Sequence, residues 1–502
     1  MKGKELIYKA IRLEKCERAP WVPFVGVHGA YLIECDSESY LQSKELIVKG
    51  VNAAIKQYDP DGIPVVFDLQ LEAEALGCKV IWAKENPPSV VGHPLAQGVS
   101  LDELKMPVAE GRIAVVLEAV KELRVQNPDI ALYGLVTGPF TLGLHLLGTD
   151  IFMQMFMDEA AVHRLMRFCT DVSKEMSRLY AEAGCDIIAI VDPMTSQIGT
   201  DQFDTFVSEY MKEIFSHIKK LGKYSSFFVC GDAQHNIEAM CNCMPDNVSI
   251  DENIPLDFVR DICLSKEISF GGNLKLTATL LLGTVADSEK DALECLAKGG
   301  ERGFILAPGC DLPYKTVVEN LTAVKDIATD KYKREIAHVL YNKKPDEVKV
   351  NTEAGKQSDQ VVDSQVNHDI GKQINQVDFE SPANETIKNI ENDLKTQVEK
   401  YPALPKVKID VITLDSAACA PCQYMMNAVL EATKRLGDSV LTEEFKIKEN
   451  RGLAMMSVLG VKKIPTICID GDVCFSSIIP PVDEIKKAIE LRIAAKVCKL
   501  TE

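Results

Sequence analysis

"SSFFVCGDAQH", residues 225–235, decides how this sequence is read. It opens as a continuous apolar run, closes on a single cysteine, Cys230, and passes through Gly231 and Asp232 into a helical pattern. A run that is apolar at every position, rather than at alternate ones, suits a strand buried on both faces, which is how parallel sheets read. Cys230 at its carboxyl end is then filler, a nucleophile or a metal ligand. Which of these it is depends on what stands at the ends of the neighbouring runs.

Working outward, similar runs recur between long helical patterns: "WVPFVGV" (21–27), "GIPVVFD" (62–68), "ALYGLVTGPF" (131–140), "DIIAIVDP" (186–193), "NVSIDE" (247–252), "ISFGGN" (268–273) and "GFILAPGC" (303–310). With the opening stretch they make eight, and eight parallel strands separated by helices predict an α/β fold of the (β/α)8 TIM-barrel type. A polar residue closes most of the runs: His28, Asp68, Asp192, Cys230, Asp251, Asn273 and Cys310. Barrel enzymes place their chemistry at the carboxyl ends of the strands, so these are the candidate site residues.

The totals limit the partners. A chain of 502 residues is too long for one ordinary core and predicts at least two domains. A net charge of −18 argues against nucleic acid and anionic membrane surfaces, since phosphate binding needs clustered Lys and Arg. The opening "MKGKELIYKAIRLEKCERAP" is a charged amphipathic helix without the apolar core of a secretion signal, and no later run has the roughly 18 apolar residues of a membrane span. A soluble, cytoplasmic protein is expected, with most of its 16 cysteines reduced.

The barrel is assigned residues 1–340. Residues 341–403, rich in Gln, Asn, Asp and Ser and poor in aromatics, read as a flexible polar linker with a helix near its end. Residues 404–502 show a βαβαββα order: a strand from about 407 to 414, Cys419-Ala-Pro-Cys422 opening a helix, and two late strands joined by Asp470-Gly471, a hairpin dipeptide. Cysteines at i and i+3 on a first helical turn can close a small disulfide ring, with the helix dipole favouring the Cys419 thiolate. Ile464-Pro465, before the next strand, is a candidate cis peptide. A structural zinc site is the other reading of CxxC, but no second pair follows at zinc spacing.

Motif, proline and element order in this last part resemble the thioredoxin fold, especially small glutaredoxin-like disulfide proteins. The resemblance implies that Cys419 and Cys422 carry thiol–disulfide exchange and that Pro465 lines their substrate groove. The larger part resembles the uroporphyrinogen decarboxylase superfamily, and within it the methylcobamide:coenzyme M methyltransferases. The residues that carry this are "PVVFDLQLEAEALGCKV" (64–80), "VTGPFTLGLHLLG" (136–148), "VDP" (191–193), "FVCGD" (228–232), "VSIDE" (248–252), "GGN" (271–273) and "LAPGCDLP" (306–313).

The two branches need different chemistry. Decarboxylating a porphyrinogen with eight carboxylates requires clustered Arg or Lys, yet no Arg occurs between Arg18 and Arg112. Methyl transfer to a thiol instead needs a thiolate, which zinc on protein cysteines supplies. The family's metal motif is His-x-Cys on the fifth strand and a distant Cys after the eighth; Cys230 and Cys310 match the cysteines, while Phe228 stands at the histidine position. A third ligand must come from elsewhere, with Asp232, His235 and Asp192 as candidates.

The expected function is a corrinoid-dependent methyltransferase. It moves a methyl group between a methylcobamide on a corrinoid protein and a small thiol or folate-type acceptor, with zinc at Cys230 and Cys310. Asp68 and Asp192 are expected as catalytic groups, and His28, Asp251 and Asn273 as substrate contacts. Uroporphyrinogen decarboxylation is the alternative, and a non-catalytic thiol-redox or metal-handling module the second. The tethered CxxC domain is expected to dock on the barrel mouth, where Cys419 reduces a Cys230–Cys310 disulfide or receives a group.

Overall fold

The computed structural model describes residues 3–342, 382–414, 416, 420–434, 436–447, 449–476, 480 and 482–500. Seven parallel strands form one sheet: β1 (Gly62–Pro64), β4 (Ala131–Thr137), β5 (Ile187–Val191), β6 (Tyr224–Val229), β7 (Asn247–Ile250), β8 (Ser269–Leu274) and β9 (Phe304–Pro308). A hairpin of β2 (Lys79–Ile81) and β3 (Ser89–Gly92) is inserted after β1.

The eighth run closes the ring without becoming a strand. Trp21 makes a single parallel bridge to Leu306. The N–H of Val22 donates to the Leu306 carbonyl at 3.0 Å, and that of Asp61 to the Trp21 carbonyl at 2.9 Å. Proline at 20 and 23 explains the brevity, because neither can donate to a ladder.

Every residue of β4, β5, β8 and β9 is buried, as a sheet enclosed on both faces requires. The inner face holds Phe24, Phe67, Tyr133, Leu135, Phe228 and Ile305 in one cluster. The outer face is covered by helices such as Glu159–Ala183, whose buried stripe runs through Val162, Leu165, Met166, Cys169, Met176 and Tyr180 at helical spacing. Asp158 caps it by accepting from the Ala161 N–H at 2.9 Å. Gly134 on β4 admits this helix closely: a side chain there would meet the Tyr180 ring at 2.7 Å.

The C-terminal unit has a four-stranded sheet in the order β11-β10-β12-β13, from β10 (Val407–Thr413), β11 (Val440–Lys446), β12 (Thr466–Ile469) and β13 (Asp472–Ser476). The first pair is parallel and the others antiparallel. Alternation along β10 sends Val407, Ile409 and Val411 to one core and Ile412 to the other. Asp470 and Gly471 both take positive φ, 51° and 91°, as the hairpin dipeptide predicts. The Ile464–Pro465 peptide is cis. Leu394, on the helix Pro382–Val398, and Tyr401 belong to this unit's core with Phe445 and Met455, so its packing reaches back past residue 404 into the stretch read as linker.

Candidate functional site

The strand ends of the barrel and the edge of the C-terminal unit enclose one cavity of ≈ 430 Å³. From the barrel come Phe67, Cys230, Asp251, Glu252, Cys310 and Asp311; from the C-terminal unit come Leu414, Cys422, Glu449, Ile464 and Pro465. Two contacts join the units beside it. Lys463 pairs with Asp232, and the Gln423 side chain donates to the Val90 carbonyl at 2.9 Å.

Cys230 and Cys310, 80 positions apart in sequence, therefore reach one chamber because β6 and β9 point the same way and both end there. Phe228 lies two residues before Cys230, hence on the same inward face. Its ring packs 4.9 Å from that of Phe24 and 5.8 Å from that of Phe67. The position expected to offer a third donor is thus part of a hydrocarbon floor.

None of the proposed substitutes replaces it. Asp232 is held by Lys463, and His235 is exposed with Nε2 2.9 Å from the Ile198 carbonyl. Asp192 is buried, accepting from the N–H groups of Phe140 and Thr141 at 3.0 and 2.8 Å and from the Thr141 hydroxyl at 2.6 Å. Among the described residues no three His, Cys, Asp or Glu side chains gather to hold a metal. At the position where the resemblance implies a histidine ligand, Phe228 supplies no donor, and the acidic side chains that share the cavity with the two thiols are those of Asp251 and Glu252 among others.

The remaining expected residues divide. Asp251 lines the cavity, accepting from the Gly231 N–H at 2.8 Å and from Asn253 at 2.9 and 2.6 Å. Burial raises its carboxyl above the usual range. Asn273 lies behind it, donating to the Ile254 carbonyl at 2.7 Å. His28 is buried between the Tyr314 carbonyl at 2.9 Å and the Tyr58 hydroxyl at 2.7 Å, and desolvation lowers its pKa to about 4. Asp68 is paired with Arg112 and also accepts from the Gln70 N–H at 2.9 Å. Cys419 lies outside the described residues; its sequence partner Cys422 is buried and accepts from the Leu414 N–H at 3.3 Å.

Four acidic groups of the cavity, Glu85 among them, escaped the sequence reading. Glu252, one position past Asp251, is pushed up to about 8 by burial and by Asp251, while accepting from the Leu276 N–H. Asp311, one position past Cys310, is raised well above the carboxylate range by burial, although the N–H groups of Gly26 and Leu312 donate to it. Both had a signal, as acidic residues at run ends. Glu449 comes from the other unit and had none. With Glu85 and Asp251, five acidic side chains surround the cavity against one base, Lys315.

Residues 2–330 match the family model for uroporphyrinogen decarboxylase (URO-D), and residues 407–490 that for a thioredoxin domain. The methylcobamide:CoM methyltransferase MtbA of Methanosarcina acetivorans is 28% identical over 338 residues, covering 65% of this chain and 97% of that protein. MtaA of Methanosarcina barkeri is 28% identical over 293 residues, covering 56% of this chain and 83% of its own length. A uroporphyrinogen decarboxylase of Anaeromyxobacter dehalogenans is 26% identical over 299 residues, covering 57% and 85%. The solved structure of a methyltransferase from Methanosarcina mazei superposes with a TM-score of 0.61 at 25% identity, covering 66% of this chain and 98% of that one.

Proposed function

Because the chain belongs to the uroporphyrinogen decarboxylase family, with a thioredoxin domain at its C-terminal end, we propose that its barrel is a corrinoid-dependent methyltransferase. It moves a methyl group between a methylcobamide, carried by a corrinoid protein, and a thiol or similar small acceptor. The observation that carries this reading is the charge of the cavity. Five acidic side chains and a single lysine cannot hold a substrate bearing many carboxylates, which needs several cations at once. Arg112 does not supply them: it is engaged by Asp68 at 2.5 Å and Glu74 at 2.6 Å. Decarboxylation is accordingly not favoured. The methyltransferases among the relatives support the same choice.

A methylcobamide supplies an electrophilic methyl group, its cobalt keeping the bonding electron pair. The chain's own part is to hold the acceptor and take its proton. Cys230 and Cys310 flank the chamber on the side of the apolar floor, where they grip a small sulfur-bearing acceptor against Phe67. Asp251 and Glu252 stand beside them as proton-handling groups: burial raises the Asp251 carboxyl above its usual range, and burial with the neighbouring Asp251 pushes Glu252 up to about 8.

The test is anaerobic incubation of the full chain with methylcobalamin and a panel of small thiols, coenzyme M included, following loss of the methyl–cobalt absorbance. Thiol-dependent demethylation without carbon dioxide release from uroporphyrinogen is expected. Decarboxylation of uroporphyrinogen with no demethylation by any thiol would reverse the assignment.

A further inference from the structure

Among the described residues, the acids on the barrel side of the chamber have no cation of their own. Lys315 is taken by Glu85 at 2.7 Å, Lys275, which lies near Glu252, by Asp291 at 3.4 Å, and Lys463 by Asp232. Asp251, Glu252 and Asp311 form an ion pair with none of them. Nor do three such side chains gather there as a metal-binding set among the described residues. A buried carboxyl is costly to ionise without a counter-ion, so a positive charge carried in by the ligand supplies what the chain lacks at this place.

A second observation on the same wall points to a donor. Gln197 lines the cavity and is only 8% exposed; its Nε2 donates to Ser196 Oγ at 3.0 Å, while its Oε1 has no hydrogen-bond partner. A buried acceptor left in this way is unfavourable, and a ligand that brings an N–H relieves it. Asp251, equally buried, is linked to this pair through Gly231. The Gly231 N–H donates to Asp251 at 2.8 Å, and a side chain on Gly231 would begin 2.9 Å from Ser196 Oγ. Glu252 lies instead toward the end of β9: a side chain on Gly309, one position before Cys310, would meet the Glu252 backbone nitrogen at 2.5 Å.

We propose that the methyl acceptor is a small aminothiol, its protonated amine donating to Asp251 and to Gln197 Oε1 and its sulfur lying toward Glu252. The proposal rests on the methyl-transfer reading for the role of that sulfur. The methylenes between the two ends pack on the apolar wall, where Phe67, Leu276 and Leu281 line the cavity. In the transfer the thiol gives its proton to the Glu252 carboxylate, sulfur forms a bond to the methyl carbon, and cobalt keeps the electron pair of the bond that breaks. The ammonium keeps its protons throughout. A sulfonate or carboxylate in place of the amine meets Asp251 as a like charge, and a hydroxyl satisfies Gln197 without compensating the aspartate.

The experiment titrates the full chain calorimetrically with 2-(methylthio)ethylamine, 2-(methylthio)ethanol and 2-(methylthio)ethanesulfonate. The three differ only in the end group and carry no thiol whose ionisation would blur the comparison. The amine is expected to bind at least about tenfold more tightly than either of the others. Equal affinities, a tighter sulfonate or no binding of the amine would overturn the proposal. Gln197→Met, which keeps the bulk and removes the acceptor, should narrow the amine's advantage to about threefold or less, and an unaltered ratio in a folded variant would overturn it as well. In the demethylation assay 2-aminoethanethiol should exceed 2-mercaptoethanol and 2-mercaptoethanesulfonate in kcat/KM, compared per thiolate; the reverse order would count against the proposal while leaving methyl transfer in place. Selective binding of the amine with no demethylation by any thiol would instead overturn the transfer reading and uphold the charge preference.

Discussion

Arg112 Nη1 donates to Asp68 Oδ2 at 2.5 Å while its Nε donates to Glu74 at 2.6 Å, so the aspartate that follows β1 is neutralised from within its own barrel. The guanidinium also lies over the Trp82 ring, 4.9 Å from its centroid. Removing the cation would leave Asp68 buried with its charge uncompensated. Arg112→Met should therefore lower stability by about 3 kcal/mol or more, measured as the shift in the urea unfolding midpoint. A shift below about 1 kcal/mol would mean that the pair is solvated in solution.

Asp192 anchors the start of the helix Pro139–Leu147 instead of facing the cavity. Asp192→Ala should destabilise by about 1–3 kcal/mol through the lost acceptor. Any demethylation activity should fall only with the folded fraction. A variant that keeps full stability and loses turnover would return Asp192 to the reacting groups.

Two buried groups set opposite pH limits. Glu252 holds its proton to about pH 8 in the folded chain but to about 4.3 unfolded, so the native state binds more protons between these values and stability falls as pH rises through them. His28 titrates at about 4 folded and about 6.5 unfolded; there the unfolded state binds more protons, and stability is lost as pH falls from 6.5 toward 4. Glu252→Gln should flatten the alkaline side of the stability–pH curve and His28→Gln the acid side, each read from urea midpoints at stepped pH. Unaltered curves would show that neither group is displaced in solution.

Phe228 stands where the resemblance implies a metal-binding histidine, and its ring lies in the apolar floor. Phe228→His places an imidazole on the inward face shared with Cys230. Anaerobically purified variant should carry about one zinc per chain by elemental analysis, against trace amounts for the unsubstituted protein. Equal zinc in both would show that the aromatic floor does not govern metal binding.

Lys463 bridges the two units at Asp232, whose carboxylate is largely buried there. Lys463→Glu sets two carboxylates against each other and should loosen docking with little effect on the barrel, within about 1 kcal/mol in its unfolding midpoint. Faster proteolytic separation of the units in that variant is the expected readout, and an unchanged rate would count against the contact.

Much of the fold was legible along the chain because both of its signals are local. Continuous apolar runs marked the parallel strands, and CxxC with Ile464-Pro465 and Asp470-Gly471 marked the second unit. The first run misled on one point, since the prolines flanking Trp21 leave a bridge where a strand was expected. The site was less legible. Run ends pointed to Cys230, Asp251 and Cys310, all at the cavity, but equally to Asp192 and His28, which are enclosed in packing.

By itself the sequence determined the two folds and brought two cysteines to the ends of two strands, because hydrophobic period and turn chemistry act over a few residues. It also contained the phenylalanine at the position where the family motif has histidine. Only the tertiary structure decided that Arg112 meets Asp68, that Phe228 is floor, and that Cys422 shares a chamber with Cys230 and Cys310. Such pairings join residues up to about two hundred positions apart, and a side chain's role there is set by what ring closure and docking place against it, which no local pattern records.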